Sequence, residues 1–191
     1  MKKTLLFSAF LTLFLSIGYG QSNPNEEFFD GWAVTTKGDT IRGKICYMNA
    51  KTGEIYQNEK KLIFIDEKGT RKKMGADKLS AFSVEDRIFE YHILDSGMEA
   101  FIAEKIKDGK IELYKAWYID NKKSDKKKFV YEEAMLIRKE DDKKFTEVLQ
   151  KDFKKIMKKF FNGDEKIMDM ITENGWTAFD MEKIIDAYNN E

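Results

Sequence analysis

An α+β fold is predicted: a coiled antiparallel β-meander of roughly eight to ten strands, forming a partial barrel, with three C-terminal helices packed against it. Three observations predict it. Apolar residues alternate two by two from Phe28 to about Lys139, and the linkers between the alternating runs are short and carry glycine or acidic turn formers. Beyond Asp141 the apolar period changes to three and four residues, the period of a helix. Runs joined so tightly must pair antiparallel, because a parallel return needs a long crossover.

The first segment reads as an export signal. Lys2 and Lys3 precede the apolar run Leu5 to Ile17, and Gly18 and Gly20 supply the small residues at −3 and −1 of a cleavage site before Gln21. The run is shorter than the ~20 residues that cross a bilayer, and Gln21 stands where a lipoprotein would carry cysteine. Residues 1–20 are therefore assigned as a signal peptide, and the mature protein is expected in the periplasm or outside the cell. Polar residues 21–27, with the only proline, Pro24, form a flexible leader. Residues 28–191 are expected to make a single domain, a meander over 28–139 and a helical tail over 141–191.

Within the meander, Trp32, Val34 and Thr36 share one side of the first strand, and Ile41, Ile45 and Tyr47 one side of the next, across a Lys37-Gly38-Asp39 turn. Leu62 to Ile65 and Thr70 to Met74 flank Asp66-Glu67-Lys68-Gly69. Leu79 to Val84 and Ile88 to Leu94 flank Glu85-Asp86-Arg87, and Ala100 to Ile106 and Ile111 to Ile119 flank Lys107-Asp108-Gly109-Lys110. Lys105 and Lys107 are expected to face water. In Ile111 to Ile119 both faces turn apolar, at Leu113, Tyr114, Trp117 and Tyr118, so this strand is expected to be covered twice. Phe129 to Tyr131 and Met135 to Arg138 complete the sheet.

Lys122, Lys123, Lys126, Lys127 and Lys128 crowd the preceding linker; without interleaved aromatics they read as a solvated hairpin tip rather than a nucleic-acid contact. In the tail, Phe145, Val148, Leu149, Phe153, Ile156, Met157 and Phe160 form one stripe of a basic amphipathic helix over 143–161. That helix is expected to dock on the sheet. The competing use is a membrane contact through Lys151, Lys154, Lys155, Lys158 and Lys159. Asn162-Gly163 ends it. Two short helices follow, around Glu165 to Thr172 and Ala178 to Tyr188, the second opened by a capping box of Thr177 and Asp180.

Removing residues 1–20 takes away Lys2 and Lys3 and no acid, which turns a balance of 34 basic and 34 acidic side chains into about −2. A near-neutral chain offers nucleic acid no global attraction, and none is expected as a partner. Chemistry has few candidates. His92 is the only histidine and Cys46 the only cysteine, so no intramolecular disulfide, His-based metal site or serine triad can be assembled, and no cofactor or metal is expected. Cys46 as nucleophile with His92 as base is the sharpest enzymatic idea. Against it, Cys46 reads as a buried small hydrophobe, or as a partly exposed but unactivated thiol on the face opposite Ile45 and Tyr47, and His92 as a water-facing residue opposite Ile93.

Gly31-Trp32-Ala33-Val34 leading into Gly38-Asp39-Thr40-Ile41-Arg42-Gly43-Lys44-Ile45, with Gly109-Lys110-Ile111-Glu112-Leu113-Tyr114 and a closing Tyr188-Asn189, resembles a group of uncharacterised secreted proteins of Bacteroidota. The resemblance implies export and fold and carries no catalytic residues. Such proteins often have a proline after the second strand, and 49–53 here has none.

The leading expectation is a non-enzymatic binding or interaction module of the cell envelope, whose partner is an envelope protein or a small ligand. The alternatives are a small hydrolase or thiol enzyme using Cys46 and His92, and a peripheral membrane protein using helix 143–161.

Overall fold

Among the described residues, ten strands make one open antiparallel sheet, and three helices follow it in the chain. The computed structural model describes residues 27–46, 61–93, 100–119 and 131–190. The segment read as a signal peptide, all but the last residue of the one read as a leader, Tyr47 and the lysines of 122–128 lie outside the described residues. The strands are β1 Phe29–Thr35, β2 Thr40–Cys46, β3 Lys61–Asp66, β4 Arg71–Gly75, β5 Leu79–Val84, β6 Arg87–Ile93, β7 Ala100–Lys107, β8 Ile111–Ile119, β9 Tyr131–Lys139 and β10 Thr146–Glu147. Their order is β10-β9-β8-β7-β6-β5-β1-β2-β3-β4, so the sheet is two meanders joined where β5 pairs with β1, and it does not close on itself. The helices are α1 Phe153–Phe160, α2 Glu165–Glu173 and α3 Met181–Asn189. No described helix is long and apolar enough to cross a membrane.

The β1–β2 turn is built as its residues dictate. Gly38 adopts φ 91°, and Thr35 Oγ1 accepts hydrogen bonds from the Lys37 and Asp39 amides. Trp32 and Val34 share one side and Ile41 and Ile45 one side, as alternation predicts, but on opposite faces of the sheet. Ala33 lies opposite Ile41, whereas Trp32 lies opposite Arg42, so the fully buried side of β1 is the Ala33 side and Trp32 and Val34 are only half-buried on the other. Small residues hold the core side there because the strands approach closely: a Cβ on Gly31 would stand 2.1 Å from Ser83 O, and one on Gly43 2.2 Å from Ile65 O. Apolar size is therefore a poor guide to the inner face of this hairpin.

Two apolar clusters share the inner face. Ala33, Ile45, Leu62, Phe64, Leu79, Phe82, Val84 and Phe89 form the first, joined by Trp117 of β8. The second unites Ile111, Leu113 and Ile137 of β8 and β9 with Phe153 and Met157 of α1, Ile167 and Ile171 of α2, and Met181, Ile184 and Ile185 of α3. Burying a side chain of this size contributes about 1.5–3 kcal/mol, which is what pins the helices to the sheet. As the two-sided apolar pattern predicts, β8 is covered twice: Leu113 faces the helices and Tyr114 the outer side, both fully buried.

The basic helix is shorter than expected. Residues 143–149 do not join it, because Thr146 and Glu147 pair with Ile137 and Leu136 as β10 and a 3-10 turn, Gln150–Asp152, precedes α1. Val148 reaches the helix-side core from this strand, while Phe145 goes to the opposite face of the sheet. The rest of the tail follows its signals. Asn162 and Gly163 end α1 with φ 53° and 73°, Asp164 caps α2, and Thr177 and Asp180 form the capping box before α3.

Asn189 closes the structure on β8. Its Oδ1 accepts from Ile111 N at 2.9 Å and its Nδ2 donates to Ile111 O at 2.8 Å and to Asp108 O, so one side chain replaces a strand partner for Ile111. Ile111 is 1% exposed, which denies water to the groups that Asn189 satisfies. Asn189→Ala is expected to cost about 2–3 kcal/mol and lower the melting temperature by roughly 5–10 °C, measured by circular dichroism. An unchanged melting temperature would show that the clamp contributes nothing.

Candidate functional site

The outer face of β6 to β9 carries the densest polar arrangement among the described residues. Alternation places Glu90 and His92 of β6, Lys105 of β7, Glu112 and Tyr114 of β8, and Arg138 of β9 on this side. A bulge between Lys105 and Lys107 resets the parity of β7: Lys105 stays outward opposite Tyr114, and Lys107 turns to the helix side, where its ammonium lies 2.8 Å from Asp186 of α3.

Five of these side chains close a ring. Tyr114 OH donates to Glu90 Oε2 at 2.9 Å and accepts from Arg138 Nη2 at 2.9 Å. Arg138 Nε donates to Glu112 Oε2 at 2.6 Å, and its Nη2 makes a second ion-pair contact with the same carboxylate. Lys105 Nζ completes the circuit, 2.8 Å from Glu112 Oε1 and 3.0 Å from Glu90 Oε1, with Asp108 at 3.1 Å as an exposed third partner. Two carboxylates and two cations balance within the ring, and Glu112 is only 5% exposed. Lys105, expected in water, is instead largely withdrawn from it.

Phe145 roofs the ring. The Arg138 guanidinium lies 4.9 Å from the Phe145 ring centre, and Phe145 meets His92, Phe101 and Tyr114 edge to face. His92 stands inside this aromatic box, its Nε2 3.3 Å from Glu90 Oε2 but without a hydrogen-bond partner. It is not the water-facing residue that alternation suggests.

Burial opposes ionisation of Glu90, but the imidazole, the Lys105 ammonium and the Tyr114 hydroxyl facing it outweigh that effect and hold its carboxyl at about 2, down from an ordinary 4.5. Burial likewise works against the charge on Lys105, yet the carboxylates of Glu112, Glu90 and Asp108 raise its pKa. Tyr114 is raised by burial and by the Glu90 charge. A lowered carboxyl stabilises the fold above its unfolded pKa, and that contribution disappears as pH falls toward the folded value. Stability should therefore decline between about pH 5 and pH 2, by on the order of 3 kcal/mol from Glu90. Urea unfolding at pH 6 and pH 3 measures it. An equally steep decline in Glu90→Gln would assign the acid limb to other groups.

The inner face carries a further, half-buried pair, Arg87 and Glu104, joined by two parallel hydrogen bonds of 2.7 Å with the guanidinium over Phe89. Around the β1–β2 and β3–β4 turns, Arg42, Asp66 and Lys68 line a shallow groove open to solvent. Asp66 is already occupied there by Lys72 and by the Lys68 and Thr70 amides. Among the described residues no three His, Cys, Asp or Glu side chains converge as a metal site.

Cys46 and His92 are not brought together. Strands β1 and β5 separate β2 from β6, and the registers place the two residues, each near the C-terminal end of its strand, toward opposite ends of the sheet, about 30 Å apart were it flat. Cys46 is 3% exposed, the buried small residue of the first reading rather than the partly exposed one of the second, because the end of β2 is covered on both faces.

The sequence alone does not single out Glu90, Glu112 or Arg138, and it places Lys105 in water and Phe145 on a helix. A signal for one of them exists: Glu112 lies between Ile111 and Leu113 in a strand apolar on both faces, and an acid in such a strand requires a partner. Comparison with protein-family models, curated proteins and solved structures gave no match.

Proposed function

We propose that the chain is a non-enzymatic binding or interaction module of the cell envelope, exported as its N-terminal segment suggests and related to the secreted Bacteroidota proteins that its opening hairpin resembles. The observation that carries this reading is the closed ring. Its acids and bases neutralise and hydrogen-bond one another, which suits a group that fixes strand register and leaves none of them poised to act on a substrate. The separation of Cys46 from His92 weighs in the same direction.

The test is crosslinking in the native envelope followed by mass spectrometry, paired with alkylation of Cys46 in the folded protein. A reproducible envelope partner and slow, ordinary thiol alkylation are expected. Rapid alkylation persisting well below the usual thiol pKa of about 8.5, and lost in His92→Ala, would overturn the reading in favour of a thiol enzyme.

A further inference from the structure

We propose that the outward face of α1, with the exposed Phe179 beside its N-terminal end, docks this protein on an anionic phospholipid surface. The inference rests on the reading of the chain as an envelope interaction module and names the partner. It differs from an inserting amphipathic helix, because the apolar side of α1 is already used: Phe153 and Met157 are buried in the sheet-facing core.

The remaining side is uniformly basic. At 100° per residue, Lys154, Lys155, Lys158 and Lys159 fill an arc of about 140° opposite the buried residues. All four are exposed, and α1 contains no acid to offset them. Lys154 with Lys158 and Lys155 with Lys159 are like-charge pairs one turn apart, an arrangement that works against the helix. Soluble surfaces ordinarily intersperse the two signs. Here the acids Asp152 and Asp164 stand only at the ends of the helix.

A second feature distinguishes lipid from a soluble polyanion. Phe179 is 89% exposed, yet its turn is firmly built by the Thr177–Asp180 capping box. Gln150 Oε1 accepts from Ala178 N at 3.1 Å, which ties the turn that carries Phe179 to the segment entering α1, where Leu149 is 37% exposed. A soluble polyanion offers lysines their counter-charge and leaves an aromatic side chain idle. An anionic leaflet supplies headgroups for the lysines and an acyl boundary for the aromatic ring.

The test is co-sedimentation of the exported chain, its N-terminus read by intact mass, with vesicles of phosphatidylcholine alone or mixed with phosphatidylglycerol, and with heparin as a soluble polyanion. Binding is expected only to the anionic vesicles and should weaken with salt. A basic side chain near an anionic leaflet strengthens binding about fivefold, so changing all four lysines to glutamine should reduce it at least about a hundredfold. Phe179→Ser should reduce it severalfold with an unchanged circular dichroism spectrum. Absence of vesicle binding, equal binding to neutral vesicles, or heparin binding with Phe179→Ser without effect on vesicles would each overturn the proposal. If vesicles fail while crosslinking still returns an envelope partner, the docking surface falls and the interaction-module reading stands.

Discussion

Phe153→Asp is expected to unfold the protein or cost several kcal/mol, because an uncompensated carboxylate would replace an aromatic ring that is 5% exposed between α1 and the sheet. Lys154→Asp, one residue on and exposed, should move stability by less than about 0.5 kcal/mol. Chemical denaturation of the two variants separates the docked arrangement from one in which α1 stands free. If both were equally stable, the packing of the helical tail described above would be wrong.

Glu112→Ala should be nearly as damaging, at roughly 3–5 kcal/mol, because it leaves Lys105 and Arg138 short of a carboxylate in a site from which water is largely excluded. The exposed pair Lys183 and Asp180 is the contrast: Lys183→Ala should cost less than about 1 kcal/mol, although its 2.8 Å distance equals that between Lys105 and Glu112. Burial sets the difference. Comparable losses in the two variants would mean that the ring is wetter than its geometry implies.

Much of the fold is legible along the chain because turn chemistry and strand alternation are local. The limits of β5 and β8, the Gly38 turn and the Thr177 capping box all follow from neighbouring residues. The return of β5 to the far side of β1 is not local, since hairpin signals say which strands are antiparallel and not which non-consecutive strands meet. Phe145 reads as helical because its spacing to Val148 and Leu149 is three and four residues, the same numbers a helix produces. A strand ending in a bend gives them too. The ring is hidden for a different reason: alternation assigns Lys105 to a face, but only the roof that Phe145 forms over Arg138 and Tyr114 removes that face from water, and the bulge that re-aims Lys107 has no local signal.

The clamp made by Asn189 bears on how the chain acquires its structure. The strand it completes begins at Ile111, 78 residues earlier, and the cluster beneath that strand draws on side chains as far along as Ile185. Until those late residues emerge, the inner side of β8 and β9 has nothing to bury against, and long-range closure of this kind carries a large entropic cost before its contacts repay it. The chain therefore acquires this side of its structure late: the cluster beneath β8 and β9 stays unassembled until α3 has been made, and consolidates then.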